Sequence, residues 1–329
     1  MQAILKSSRA AAFVLCLAGS ILMLSLLEAA SDGPPGRDPS EVRHSEIHPA
    51  KNHFIIVGDT QRTSSWELWR EKNDAQRKLI AAEIAKREPA FVIHLGDLTA
   101  RGSSTKHWEE FNALHEAARQ KRIPYFPVLG NHDLYGDDVK ALRHYFDRFP
   151  HLREKRWYSL QWKKIGFILL DSNFSSLTKG QAASQEKWYI GELERFEKDP
   201  DVEHVVVCCH QPPFTNSRVI RPDGNVKTSF ADRFVLFRKT RFFFSGHCHS
   251  YERFQVGGKS FVVSGGGGGP RHRLYAPGKR PYPDLFPGPE LRFFHFIEME
   301  SSETGLTLRV VRLELNGTFT NVDPFTASP

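Results

Sequence analysis

The chain has 329 residues, of which 40% are hydrophobic and 25% charged, a balance that excludes a disordered or fibrous protein. A formal net charge of +7 favours an anionic partner or substrate, but no lysine and arginine block is dense enough to give a specific nucleic-acid signal.

Lys6 and Arg9 precede an uncharged run from Ala10 to Leu27, and "EAAS" and the turn-rich "DGPPGRDPS" follow. A charged start, an apolar centre and a small-residue exit at Ala29-x-Ser31 form the pattern of a secretory signal. Residues 1–31 are therefore expected to direct export, to the periplasm or beyond. The alternative is an uncleaved membrane anchor through residues 10–27, at the short limit for a span and facing the extracytoplasmic side. Cys16 follows "FVL" rather than a small residue, so lipidation is not expected. The three remaining cysteines, Cys208, Cys209 and Cys248, are an odd set with two adjacent members and make no disulfide framework.

Residues 32–52 read as a linker of proline, glycine and charge without periodicity. From His53 the texture changes. "HFIIVG", "FVIHLG" (91–96) and "YFPVLG" (125–130) are apolar runs closed by glycine, separated by the helical stretches "DAQRKLIAAEIAKR" and "TKHWEEFNALHEAARQKR". Strands alternating with helices predict parallel βαβ units. "RWYSLQW" and "KIGFILLD" then predict an antiparallel hairpin, "SQEKWYIGELERFEKD" an amphipathic helix, and "EHVVVCCH" a buried strand. "RFFFSG", "KSFVVSGGGGG", "RFFHFIEME" and "GLTLRVVRLEL" complete a strand-rich second half, with one domain over 53–315 and a tail over 316–329. A layered α/β sandwich fits this order. Residues 264–290, rich in Gly and Pro, are long for a loop and read either as a rim attracting an anion through Arg271, His272, Arg273, Lys279 and Arg280, or as a solvated loop.

Each strand-like run ends in a polar cluster. "VGDTQ" supplies Asp59 and Gln61, "LGDLT" Asp97, and "LGNHD" Asn131, His132 and Asp133; "VCCHQPP" supplies His210 and "SGHCHSYER" His247 and His249. Ligands in open α/β sheets bind outside the carboxyl ends of the strands, so five such ends face one crevice. Two Asp, one Asn and three His, with Gln61 as a further oxygen donor, are too many for one tetrahedral ion and enough for two. Mixed O and N donors without thiolate suit Mn, Fe or Zn. Two ions sharing a carboxylate can clamp a phosphate and activate a hydroxide for in-line attack.

The ordered set GD, GD, GNHD, H and GHxH resembles the calcineurin-like metallophosphoesterase superfamily over residues 53–315, and "HSYER" resembles its purple acid phosphatase branch. The resemblance implies an α/β/β/α sandwich of two mixed sheets flanked by helices and an exported phosphoesterase acting on phosphate mono- or diesters of small or macromolecular substrates. Asp59 and His249 would hold the first metal, Asp97 would bridge, and Asn131, His210 and His247 would hold the second. His132 would stabilise the phosphoryl group or protonate the leaving oxygen, with Asp133 orienting its other nitrogen. Two positions depart from the pattern: Gln61 stands where many members carry histidine, and Ala100 where purple acid phosphatases carry the iron-ligating tyrosine. The first departure keeps open a second reading, a metal-retaining domain that binds a phosphorylated ligand without turnover.

The other histidines read as structural: His94 as a packed residue, and His107, His115 and His144 as surface residues on helices. The three cysteines read as packing residues. Asn173 and Asn316 head glycosylation sequons, while Arg62 and Arg253 read as either phosphate contacts or surface ion pairs.

Overall fold

The computed structural model describes residues 47–48, 50–64, 69–303 and 305–327. The expected signal or anchor and most of the expected linker lie outside these residues. Among the described residues no helix is long and apolar enough to cross a membrane.

The three glycine-closed runs form β1 (His53–Val57), β2 (Val92–His94) and β3 (Tyr125–Pro127), paired in parallel. Between β1 and β2 runs α1 (Asp74–Arg87), with an acid in its first turn and Lys86 and Arg87 in its last, complementing the helix dipole. Its Ile80, Ile84 and Ala85 are buried against the sheet, and it stops at Glu88 because Pro89 disfavours helical geometry before it. The next helical stretch is broken at His115 into α2 (Thr105–Leu114) and α3 (Glu116–Gln120). His115 is not on the surface. It is buried under both, with Nδ1 3.0 Å from the Tyr125 hydroxyl, and burial followed by Arg77 lowers its pKa to about 3. His107 and His144 are half-buried, the latter with Nδ1 3.0 Å from Gly102 O.

After α4 (Asp138–Arg148) come the expected hairpin, β4 (Tyr158–Trp162) and β5 (Ile165–Leu169), and then α5 (Lys179–Lys198). α5 begins five residues before the predicted amphipathic run because Thr178 and Gln181 form a reciprocal capping box. β6 (His204–Cys209) and β7 (Thr240–Ser245) follow, then β8 (Tyr251–Val256) and β9 (Lys259–Ser264). β10 (His295–Ser302), β11 (Gly305–Leu313) and β12 (Phe319–Ala327) complete the chain.

One six-stranded sheet runs β12-β11-β10-β1-β2-β3 and the other β4-β5-β6-β7-β9-β8; both mix parallel and antiparallel pairs. Period two builds the layers. Val206, Cys208, Phe242 and Phe244 face the core shared with Phe54, Phe91 and Ile297, whereas Val205, Val207, Cys209 and Phe243 face Tyr189, Leu193 and Phe196 of α5. Phe54 stacks on Phe91 at 5.0 Å and meets Trp162 and Phe167 edge-on, joining the two sheets. Each such buried ring contributes about 1.5–3 kcal/mol. The chain is thus an α/β protein of two mixed sheets flanked by helices.

β12 extends the first sheet beyond residue 315, the expected end of the domain. Its Pro324 is tolerated because an edge strand needs no ladder donor there. Asp323 on this strand accepts from Tyr251 Oη at 2.7 Å and from Arg253 Nε and Nη2 at 2.8 Å each, tying the edge of one sheet to that of the other. Arg253 is therefore committed to this contact rather than to a phosphate.

Candidate metal centre

Five parallel-strand ends converge. β1 leads through Gly58 to Asp59, β2 through Gly96 to Asp97, β3 through Gly130 to Asn131, β6 directly to His210, and β7 through Gly246 to His247 and His249. Backbone bonds stitch these exits together: Asp59 N donates to Gly96 O at 3.0 Å, and Gly246 N to His210 O at 3.0 Å. Asp59, Asp97 and His247 all adopt left-handed backbone, with φ of 61°, 55° and 62°. That conformation costs each residue about 1–3 kcal/mol and persists only where surroundings enforce it, which is common at functional sites. Gly130 permits a close approach, since a β-carbon there would collide with the Asp97 backbone nitrogen and carboxylate.

The donor atoms fall into two groups that share Asp97. Asp59, Asp97 and His249 form one, and Asp97, His210 and His247 the other, each with ligand atoms within 4.8 Å of one another. Asn131 joins the second group, its Oδ1 lying 3.1 Å from His210 Nε2. Gln61 borders the first: Nε2 donates to Asp97 Oδ2 at 3.1 Å and lies 3.1 Å from His249 Nε2, while the buried Oε1 has no partner. No cysteine enters either group. Cys208, Cys209 and Cys248 are free and buried in the two cores.

Backbone carbonyls fix the histidines. His210 Nδ1 is 2.7 Å from Leu95 O and His249 Nδ1 is 2.8 Å from Pro270 O. Each ring therefore donates from Nδ1 and, once any Nε2 proton is displaced, turns an Nε2 lone pair inward. His210 Nε2 then faces Asn131 Oδ1 at 3.1 Å, Asp97 Oδ1 at 3.4 Å and His247 Nδ1 at 3.1 Å, two oxygen acceptors and a ring nitrogen. His249 Nε2 faces Asp59 Oδ1 at 3.3 Å. Such a ring of lone pairs is stable only around positive charge, so the donor set fits cations.

The electrostatics agree. Burial alone would raise the Asp97 carboxyl, but His210 and then His132 outweigh it and hold it well below the carboxylate range. Burial would lower His210, yet Asp97 pushes it up to about 9. His247 is brought down to about 3 by burial and then by His210, leaving a neutral ring with a lone pair to offer.

His132 is half-buried beside the shared carboxylate. Its backbone N donates to Asp97 Oδ1 at 2.8 Å, and its Nε2 is 4.0 Å from Asp97 Oδ2. Asp133 does not orient it, contrary to the sequence expectation. That carboxylate is fully buried and accepts Gly130 N at 2.9 Å and Thr99 N at 3.1 Å, while His132 Nδ1 lies 3.0 Å from Ala100 O. Orienting carbonyls leave no trace in sequence, since every residue has one. Tyr135 is a further neighbour that the sequence reading missed: its ring lies 4.3 Å from His132 and its hydroxyl accepts from Asn131 Nδ2 at 2.8 Å.

The glycine-rich start of the loop, residues 264–270, is buried rather than solvated, while much of 273–289 is exposed. Gly267 N donates to Gly58 O at 2.9 Å and Gly269 N to Asp59 O at 2.7 Å, binding it to the first cluster. Arg271 grips Glu71 and Arg280 pairs with Asp284, while Arg273 and Lys279 stay exposed. Arg62 pairs with Glu110 at 3.3 Å. The Asn173 sequon is buried, its Nδ2 donating to Leu129 O and Asp171 Oδ1 at 2.9 Å each, whereas Asn316 is exposed in the β11–β12 turn.

Comparison with known proteins agrees with this geometry. Purple acid phosphatase 1 of Ipomoea batatas is 23% identical over 214 residues, covering 61% of this chain and 42% of that protein. A protein of Arcobacter nitrofigilis named "Probable glycerophosphodiester phosphodiesterase GpdQ" is 28% identical over 167 residues, 48% of this chain and 56% of its own. The matched segment thus spans about half the length of these curated relatives. Among solved structures, a purple acid phosphatase from yellow lupin (Lupinus luteus) seeds superposes with a TM-score of 0.63 at 18% identity, over 85% of this chain and 54% of that one. The model of the calcineurin-like phosphoesterase family matches residues 52–251, and with its fold the chain belongs to that family.

Proposed function

We propose that the chain is a metal-dependent phosphoester hydrolase, its two donor groups holding a pair of ions among Mn, Fe, Zn and Mg with Asp97 between them. The carrying observation is that one buried carboxylate belongs to both groups. Asp59, Gln61 and His249 would hold one ion, and Asn131, His210 and His247 the other. When bound, such ions supply a Lewis acid for phosphoryl oxygens and an activated nucleophile at neutral pH for in-line displacement. The chain's own contribution is orientation and proton handling. Carbonyls of Leu95 and Pro270 hold the ligand rings, and the left-handed turns aim Asp59, Asp97 and His247 inward. His132 is anchored through Nδ1 on Ala100 O with Nε2 4.0 Å from Asp97 Oδ2; as the doubly protonated ring it would give its Nε2 proton to the leaving oxygen, keeping the Nδ1 proton on Ala100 O.

The similar proteins carry the names of phosphatases and a phosphodiesterase, which supports mono- and diesters alike as substrates. Residues 1–31 support export, with residues 10–27 as anchor if the signal stays uncleaved; fractionation and N-terminal sequencing of the expressed protein test this. Gln61 supports a second reading, binding without turnover, because its amide N–H groups already serve Asp97 and His249 where a cation would. The deciding experiment loads metal-stripped protein with Mn and assays p-nitrophenyl phosphate and bis(p-nitrophenyl) phosphate. Turnover that Asp97→Asn removes supports the hydrolase; Mn binding with neither ester cleaved supports the second reading.

A further inference from the structure

We propose that His272 is a positioning residue for His249, fixing the imidazole plane through which the Asp59 half of the centre meets its cation. The inference rests on the metal-centre reading above. Three contacts join the pair, the first a backbone bond from His272 N to His249 O at 3.1 Å. The His249 backbone N–H donates to His272 Nδ1 at 3.2 Å, and the two rings stack with centroids 4.2 Å apart and planes 11° from parallel. His272 is buried, with 6% of its surface exposed.

The backbone N–H is an obligate donor, so Nδ1 of His272 carries the lone pair and Nε2 the proton. Nε2 is buried and has no partner among the described residues. A protonated Nε2 has no lone pair for a cation, so His272 is not a ligand. The side chain makes no second hydrogen bond among the described residues; the backbone N is the one bound to His249 O. What holds it is its loop: Arg271 binds Glu71 through its backbone N at 2.7 Å and through Nε and Nη2 at 2.8 Å each, and its guanidinium lies 4.9 Å from the Phe294 ring centre. On the preceding side, a β-carbon at Gly269 would stand 2.5 Å from His249 Cε1, so only glycine lets the loop pass this close. Pro270 O, between them, takes His249 Nδ1. Four consecutive residues, 269–272, thus shape the setting of one imidazole. Partners of this kind orient a ligand without touching the ion, and their loss costs metal affinity.

The test is Mn titration by calorimetry on the metal-stripped full chain, comparing wild type, His272→Phe and His272→Asn. Phe keeps an aromatic ring and removes the Nδ1 acceptor; Asn restores an acceptor near that position. We expect His272→Phe to weaken one of two Mn sites by about tenfold or more, to leave the other unchanged, and to be partly rescued in His272→Asn. A merely structural histidine would lower the melting temperature of the metal-free variants while both sites kept their affinities, and that result would overturn the proposal. If wild type takes up no Mn at all, the metal-centre reading fails first, before any variant is compared.

Discussion

The two halves of the centre are built differently. Asp59, Gln61 and His249 are all buried, and a glycine-rich loop closes over them with backbone bonds to Gly58 and Asp59. Around Asn131, His210 and His247 the setting is more open, for Asn131, His132 and His247 are half-buried and Tyr135 is exposed beside them. A closed half has its geometry imposed by packing and is suited to holding an ion. An open half, with a histidine at its lip, is suited to meeting a substrate. Asp97 belongs to both, so the sharpest experiments change Asp97 or one half alone.

Asp97→Asn should have the largest effect. Removing the shared charge leaves the inward-facing nitrogens of both halves without their central anion, so Mn uptake should fall below two ions per chain. Ester hydrolysis should fall by more than about 100-fold, beyond the range set by outer partners. Elemental analysis with initial-rate measurement checks both. His132→Ala should come next and read differently: kcat falls about 10²–10⁴-fold while both ions stay bound, since in the proposed function the residue offers a proton rather than a ligand. Loss of an ion in His132→Ala would break the division between holding and meeting.

Much of this was legible in the sequence, for a physical reason. Parallel strands deliver their exits to one side, so a polar cluster after each of five apolar runs announces convergence before any coordinate is known. Period two likewise placed Cys208 and Cys209 in packed strands. The role that the resemblance implied for Asp133 does not match this fold, because the 3₁₀ turn at 132–134 sends it inward to Gly130 N and Thr99 N. β12 was illegible because an exposed edge strand shows no apolar alternation. His272 was noticed only as one charge in a loop, since nothing local reports that the loop returns to His249.

Acidification should weaken metal binding, and the open half sets the scale. Burial opposes a charge on His210, yet Asp97 pushes its pKa up to about 9 in the metal-free fold, against about 6.5 for an unfolded histidine. The sign follows from that order. The proton stabilises the metal-free fold fully below about pH 6.5, and this contribution is lost as pH rises through about 9. At pH 7 the ring is protonated, so an ion must displace its proton. Mn binding should release about one proton from this half and lose about tenfold in affinity for each unit of acidification toward pH 6. Calorimetry in buffers of different ionisation enthalpy counts the protons, and uptake with none released would place the ion away from His210.

The smallest effect is expected at Arg62, and its smallness is informative. Arg62 adjoins Gln61 on the closed half, and a guanidinium there is an attractive partner for phosphate on charge alone. In the fold it pairs with Glu110, both side chains partly exposed, at 36% and 26%. An ion pair of that kind contributes about 0–1 kcal/mol. Arg62→Ala should therefore shift the melting temperature only slightly and, on the proposed approach of substrate over Asn131, His132 and His247, leave KM for either ester within about twofold. A KM raised tenfold would mean that the phosphate approaches from the Gln61 side. The closed half would then be the substrate-facing one, and His132 would have to reach the leaving group across Asp97 rather than beside it.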